Sequence, residues 1–189
     1  RYVAHHRTVL LLLLFGLLSL LLLQPFMVVL PQIASEKFNI GPEGFGAFIT
    51  AMGVGSVVGP LILAFLGDFR AKGAVIVSTM AASGLVLMGL GFAPVLFLAM
   101  ALMALIGLFD SSQRVITNSL LLIQTDREFH GRVVSLYLLD RGFVPIGSLI
   151  AGYLASGIGP ELALAALGGA LVLTVLLVTA AQPRFLSVR

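Results

Sequence analysis

The chain has 189 residues, of which 59% are hydrophobic and only 10% are charged. An ordinary soluble domain is nearer half hydrophobic and a quarter charged, so this composition indicates a membrane protein. The chain has no cysteine, which excludes a disulfide framework, a thiolate metal site and a cysteine nucleophile. The net charge of +3 is small, and its distribution along the chain is more informative than its size.

Six segments are long and apolar enough to cross a bilayer, which takes about 20 residues. They lie at residues 8–30, 44–66, 74–92, 95–123, 133–158 and 161–181. The predicted fold is therefore all-α, a polytopic helical membrane protein in which residues 1–189 form one domain of six transmembrane helices. Because the chain starts at Arg1 without methionine and enters an apolar stretch almost at once, we expect it to be a fragment or one half of a longer protein.

Lysine and arginine are distributed unevenly between the two sides of this predicted bundle. Eight lie at the termini and in the loops after the second and fourth spans: Arg1, Arg7, Arg70, Lys72, Arg127, Arg132, Arg184 and Arg189. The opposite side carries only Lys37. Since cytoplasmic loops are enriched in these residues, we expect both termini and those two loops to be cytoplasmic.

Small residues and a proline mark places where helices approach each other or bend. Ala51, Gly55 and Gly59 recur every four residues in the second span, which gives a face where another backbone can come close. Pro145 should kink the fifth helix or free one of its backbone carbonyls. Both features suit a static bundle as well as a moving one.

Four charged residues lie inside the fourth and fifth spans: Asp110, Arg114, Asp140 and Arg141. A charge at membrane depth is costly, so each is a functional candidate. Asp110 and Arg114 are four residues apart and share one helix face. At 1.5 Å per residue, Arg114 lies about 14 Å and Asp140 about 11 Å from the same membrane face, so the two could pair across the interface.

Three interpretations of these charges stay open. One or both carboxylates take up and release a proton, because an arginine that approaches or leaves changes the proton affinity of a carboxylate. Alternatively, the charges form a static ion pair that holds two helices together, or they contact the substrate directly. If Arg114 pairs with Asp140, Asp110 is the better proton carrier.

Polar and aromatic residues within the spans are candidates to line a substrate cavity: Gln24, Phe26, Gln113 and Asn118. The segment Gln24-Pro25-Phe26 interrupts the first helix near its outer third and presents an amide beside an aromatic ring. An interhelical hydrogen bond is the more common role for such amides, so both roles stay open.

The loop after the second span, Gly67-Asp68-x-Arg70-x-Lys72-Gly73, resembles the G-x-x-x-D-R-x-G-R-[RK] loop of the major facilitator superfamily. A later group of residues looks like the C-terminal half of its siderophore and drug exporter branch: Arg114, Asn118, Leu121, Asp126, Gly131, Arg132, Val133, Ser135, Pro145, Gly147, Ser148 and Gly152. This chain departs from the family loop at Thr125 and His130, where the family usually has proline and arginine.

The resemblance covers essentially the whole chain and implies helices seven to twelve of a twelve-helix major facilitator fold. It implies efflux of a small organic molecule, drug or siderophore-like, by alternating access and proton antiport in the bacterial plasma (inner) membrane. The implied partners are the substrate, protons, the lipid bilayer and the missing N-terminal six-helix half. By the same resemblance, Asp68 and Arg70 belong to a cytoplasmic latch, and Gly131 and Arg132 to its neighbourhood.

Several alternatives remain: a proton-coupled importer, an uncoupled facilitator and a non-transporting scaffold subunit. A membrane enzyme is disfavoured, because the two membrane acids lie on separate helices and nothing resembles a catalytic triad or a metal site. The phosphate-binding pattern GxxxxGK[ST] is absent, so ATP is not the expected energy source. We expect no cofactor, no metal and no nucleic-acid partner.

Overall fold

The computed structural model describes residues 7–67, 71–125, 129–131, 135 and 140–187. These residues form a helical bundle whose six segments are named in chain order: α1 Arg7–Lys37, α2 Pro42–Leu66, α3 Lys72–Gly91, α4 Leu96–Gln124, α5 Val144–Ile158 and α6 Pro160–Ala181. Within the described part of the chain, all but α5 are long and apolar enough to cross a membrane. The fifth span was predicted to start at residue 133. Most of residues 133–139 lie outside the described residues.

Contacts at the two ends of the bundle define the direction of its helices. Lys37 at the end of α1 lies 2.7 Å from the carbonyl oxygen of Gly91, at the end of α3, and 2.8 Å from Oε1 of Glu161, at the start of α6. At the opposite end, Gly73 at the start of α3 lies against the carbonyl of Phe185, which follows α6. Therefore α6 runs antiparallel to α1 and α3, and the start of α1 and the end of α6 share one side.

The first helix is longer than predicted and changes its geometry twice. It continues to Lys37 instead of ending near residue 30, because a π-helical turn at Ile33–Lys37 extends it. Another π-helical turn, Ser19–Leu23, lies just before Pro25. Proline lacks an N–H and clashes with the carbonyl four residues earlier, and a wide turn accommodates both effects. The predicted interruption is thus a local deformation inside a continuing helix.

Helices α2 and α4 approach each other through glycine. A Cβ atom added to Gly55 would fall against the backbone of Ala104, and one added to Gly59 would fall against the carbonyl of Leu108. Gly107 on α4 makes the reciprocal approach to the backbone of α2. The close-packing face predicted on α2 is confirmed, and α4 is the helix that packs on it.

Apolar side chains form both the core of the bundle and much of its surface. Large buried side chains come mainly from α1, α3, α4 and α6. Each of the six helices also exposes large apolar side chains, among them Phe65 on α2, Phe97 on α4 and Tyr153 on α5. Lipid tails are as apolar as leucine, so such exposed faces are stable in a bilayer although they would be unstable in water.

Pro145 is the second residue of α5, Val144–Ile158. It lies in the first turn of this helix, where its missing N–H leaves no helical hydrogen bond unmade. A 3-10 turn, Asp140–Phe143, comes directly before α5. The change from 3-10 to α geometry lies inside the predicted fifth span and next to Pro145, and the predicted bend of that span stays a prediction because residues 132–134 and 136–139 lie outside the described residues.

Candidate functional site

Asp110 and Arg114 form a two-point ion pair in the middle of α4. Arg114 Nη2 lies 3.0 Å from Asp110 Oδ2, and Arg114 Nε donates to Asp110 Oδ1 at 3.2 Å. Asp110 lies fourteen residues from either end of the helix, about 21 Å at 1.5 Å per residue, and so near the middle of a bilayer. The Asp110 side chain is 8% exposed and that of Arg114 is 37% exposed. The carboxylate is therefore enclosed, whereas its cation reaches the surface of the chain.

The first helix supplies two further donors to this carboxylate. Ser19 Oγ donates to Asp110 Oδ1 at 3.5 Å, and Gln24 Nε2 donates to Asp110 Oδ2 at 3.4 Å. Each carboxylate oxygen thus faces one group on α4 and one on α1. The α1 distances exceed the usual 2.7–3.2 Å for an N–H donor, so Arg114 is the stronger partner in this conformation.

The packing of α4 explains why Asp110 faces α1. Ala104, Leu108 and Ser112 recur every four residues on α4 and lie against the glycines of α2. Asp110 is two positions from this row, which turns its side chain by about 200°. The close contact with α2 therefore directs the carboxylate toward α1.

The predicted cavity residues take different positions in the structure. Gln24 contacts Asp110, which makes it the one of the four that joins the charged site directly. Phe26 is fully buried in the core, and Gln113 is 2% exposed and donates to Thr117 on its own helix. Asn118 is exposed at the surface of α4. Phe26 and Gln113 therefore pack within the bundle in this conformation, whereas Asn118 is open to the outside.

The second predicted pair of charges, Asp140 and Arg141, lies on the 3-10 turn before α5. This turn packs against the π-helical turn Ser19–Leu23 of α1, so its backbone is close to the level of the Asp110 site. The side chains of both residues lie outside the described part of the structure. The structure pairs Arg114 with Asp110 on its own helix, and a contact between Arg114 and Asp140 stays a prediction.

The predicted loop motif is described only in part. Gly67 follows α2 with a φ of 68°, which favours glycine, and Lys72 begins α3. Gly73 packs against Phe185, and Gly131 is exposed. Three of the motif residues lie outside the described residues: Asp68, Arg70 and Arg132. The cytoplasmic latch therefore stays a prediction.

The two residues that depart from the family loop contact each other. His130 Nε2 lies 2.7 Å from the backbone carbonyl oxygen of Thr125. A carbonyl oxygen can only accept, so His130 carries a proton on Nε2 in this contact. This bond joins the described residues 129–131 to the residue that follows α4.

Sequence reasoning missed the roles of Ser19 and Lys37. Ser19 was a lone hydroxyl in an apolar run, and its partner Asp110 is 91 positions away. Lys37 entered only as a charge that reported orientation, yet it binds both the last carbonyl of α3 and Glu161 in the first turn of α6. A cation at a helix C-terminus and an anion at a helix N-terminus are both favourable placements.

The Asp110 site is suited to proton chemistry. A buried carboxylate is stable when it is paired with a cation or when it carries a proton, because either state avoids an uncompensated charge. The two donors on α1 can remain near it in both states. Among the residues that the structure describes, no group of three or more His, Asp or Glu side chains could hold a metal ion.

Residues 11–186 match the family model of the Major Facilitator Superfamily, so the chain belongs to this superfamily of membrane transporters. The chain is also similar to the staphyloferrin A transporter of Staphylococcus aureus (strain NCTC 8325 / PS 47), with 25% identity over 135 residues. That match covers 71% of this chain but 34% of the relative, so the chain spans about a third of the relative's length. The predicted family and the predicted all-α membrane fold are confirmed, and the family is one of transporters and not of enzymes.

Proposed function

We propose that the complete protein containing this chain exports a small organic molecule by alternating access, in exchange for protons. Membership of a transporter superfamily supports the transport activity. The name of the relative, a staphyloferrin A transporter, supports a siderophore-like substrate within the wider class of small organic molecules. The likeness of the loops to the siderophore and drug exporter branch supports export.

The ion pair in the middle of α4 is the observation that carries the proton step. Asp110 is enclosed by the bundle and Arg114 reaches its surface, so the arginine is the partner that can move away. When it does, the carboxylate binds a proton, because a buried and unpaired carboxylate is too costly. Return of Arg114 to Asp110 expels the proton. One transport cycle then carries one proton, which binds Asp110 from one side of the membrane and is released to the other side.

The proposal includes a second set of helices and a defined membrane. The chain supplies one wall of the cavity, and an N-terminal six-helix half supplies the other. We place the protein in the plasma (inner) membrane of a bacterium with both termini in the cytoplasm. The excess of lysine and arginine at one side supports this orientation, and the shared side of the two ends of the bundle agrees with it.

Three other functions make different predictions for the same site. A proton-coupled importer would use the same proton step with proton and substrate moving in the same direction. An uncoupled facilitator, or a scaffold subunit that does not transport, would use Asp110 and Arg114 only to hold helices together. The proton-coupled proposal is favoured because the pair is asymmetric, with an enclosed carboxylate and an accessible cation.

Transport into inverted membrane vesicles tests the proposal. The protein expressed from its complete coding sequence would be assayed with a fluorescent amphiphilic substrate, with and without a pH gradient. We expect wild-type uptake to follow the gradient, and Asp110→Asn to reduce it to the level without a gradient. The control is Glu36→Gln, which removes a carboxylate at the exposed end of α1 that is bonded to Gln32. All variants are compared at equal protein levels.

Each result has a distinct meaning for the proposal. Uptake that follows the gradient equally in Asp110→Asn and in the wild type would contradict Asp110 as the proton carrier. Asp140→Asn is measured in parallel, because loss of coupling in that variant alone would assign the proton to the turn before α5. Wild-type transport that ignores the gradient would favour the uncoupled facilitator, and transport in the opposite direction would favour the importer.

A further inference from the structure

The deformation of α1 lies between the charged site on α4 and the backbone of α5. Its π-helical turn is closed by the backbone N–H of Gln24, which donates to the carbonyl of Ser19 at 3.0 Å. Pro25 has no N–H, so the α-helical bond to the carbonyl of Leu21 cannot form. That carbonyl instead lies 3.0 Å from the position that a Cβ would take on Gly147 of α5. The wide turn is therefore in direct contact with the α5 backbone.

The residues at the two ends of this turn are the ones that contact Asp110. Ser19 opens the turn and Gln24 closes it, and their side chains donate to the two different oxygens of the carboxylate. The same two residues are joined by the backbone hydrogen bond of the turn. A change in the hydrogen bonds of the Asp110 carboxylate therefore acts on both ends of the π-helical turn together.

We propose that Ser19 and Gln24 are positioning residues that convert protonation of Asp110 into a change of the π-helical turn in α1. This inference rests on the proposed function, because it takes Asp110 as the proton carrier. In the ion-paired state, Arg114 holds the carboxylate at 3.0 and 3.2 Å, and the bonds from α1 are long. When the arginine leaves and a proton binds, Asp110 becomes a donor as well as an acceptor. Its bonds to Gln24 and Ser19 then rearrange and shorten, and the turn changes with them.

The size of the change follows from helix geometry. A π-helical turn holds one residue more than an α-helical turn. If the turn converts to α geometry, with the clash between Pro25 and the Leu21 carbonyl taken up as a kink, the outer part of α1 shifts by about 1.5 Å along the axis and rotates by about 100°. Gly147 lies against the turn, so α5 must move with it. Protonation of Asp110 on α4 thus moves α1 and α5.

Other ionisable groups near the turn must be included in any measurement of pH dependence. Arg114 is the charged group that faces Asp110 among the described side chains. Asp140 and Arg141 lie on the 3-10 turn that packs against the π-helical turn, and their side chains are outside the described set. Helices α3, α5 and α6 also pack there. Lys72 and Glu161 lie in the first turns of α3 and α6, at the two opposite ends of the bundle, and α5 carries no charged residue.

Spin labels on the two parts of α1 test the inference without any transport. The chain has no cysteine, so Leu10→Cys and Val28→Cys can be labelled in the complete protein after removal of cysteines elsewhere. Both positions are about half exposed, at 48% and 50%, and lie on opposite sides of the turn. They are about 27 Å apart along a straight helix, a distance that pulsed electron paramagnetic resonance measures well.

We expect the distance between the labels to change by at least about 1.5 Å, the rise of one residue, between high and low pH. Asp110→Asn should hold the low-pH distance at both pH values, because an amide imitates the protonated acid. Gln24→Leu and Ser19→Ala should abolish the change, and Ser19→Thr should restore it because it keeps the hydroxyl. The matched control is Gln32→Leu, on the same helix but bonded to Glu36, and it should behave as the wild type. Asp140→Asn, which removes the neighbouring acid, should also keep the change.

The possible failures are distinguishable. A pH-dependent distance that survives Gln24→Leu and Ser19→Ala overturns the inference, and so does a distance that is constant in a wild type whose transport is proton-coupled. In that second case the proposed function stands and only the link to α1 is lost. A pH-dependent change that disappears in Asp140→Asn overturns it as well, because the proton would then act on the turn before α5. If neither transport nor distance responds to protons, the proposed function and the inference fail together.

Discussion

Substitution of Gly55 by alanine tests the contact between α2 and α4 that directs Asp110 toward α1. The added Cβ would overlap the carbonyl oxygen of Ala104 and lie 2.7 Å from its carbonyl carbon. Carbon atoms in favourable contact are about 3.5–4.0 Å apart, so the helices must separate by about 1 Å. Such a gap forfeits about a quarter to a half of the dispersion energy at the affected contacts. With backbone atoms on both sides, we expect the free energy of unfolding to fall by about 1–3 kcal/mol.

Unfolding of the complete protein in detergent, followed by circular dichroism, measures this loss. Gly53→Ala is the matched control, because it adds the same methyl group to the same helix at a position with nothing within 4 Å. This control should change the free energy of unfolding by less than about 0.5 kcal/mol. Equal stability of the two variants would refute the reasoning, since it would mean that α2 and α4 do not touch through their backbones.

Two further predictions concern the ion pairs. Arg114→Gln alone should lower the free energy of unfolding by about 1.5–3 kcal/mol, because it leaves the Asp110 carboxylate buried without its cation. Adding Asp110→Asn to this variant should recover most of the lost free energy, because the buried charge is then removed. Additive effects of these two substitutions in the same unfolding assay would contradict the pair. At the other end of the bundle, Glu161→Gln should cost less than about 1 kcal/mol because the carboxylate is nearly half exposed. Lys37→Met should cost more, since it also loses the bond to the Gly91 carbonyl, and equal losses would show that this bond contributes nothing.

Hydrophobic length was a reliable guide to the helices because it reflects the thickness of the bilayer more than any local detail. The described helices α2, α3, α4 and α6 begin and end within a few residues of the predicted spans. The exception among these described helix ends is the end of α1, which was predicted near residue 30 and lies at Lys37, and the start of the predicted fifth span lies mostly outside the described residues. Proline is tolerated inside a membrane helix, and here Pro31 lies within the helical segment Phe26–Gln32 while the π-helical turn Ile33–Lys37 follows it and carries the helix on to Lys37.

The candidate site was predictable only as far as contacts are local in sequence. The spacing of Asp110 and Arg114 placed them on one face, and the structure shows them paired. The donors on α1 lie 86 and 91 positions away, and no pattern in the sequence relates them to Asp110. The sequence also did not indicate that α4 is the helix that packs on the small residues of α2. That pairing depends on the close approach of Gly107 on α4 to the backbone of α2.

The start of α1 and the end of α6 lie on the same side of the bundle. The contacts that show this are those of Lys37 with Gly91 and Glu161 at one end of the bundle and of Gly73 with Phe185 at the other. This arrangement has a consequence for how such proteins are built. A unit whose chain enters and leaves on the same side of a membrane can be repeated within one gene. A second copy joined through a linker on that side keeps the orientation of the first, so duplication and fusion require no inversion. Each copy can then diverge in its buried charges while the join between them stays in water.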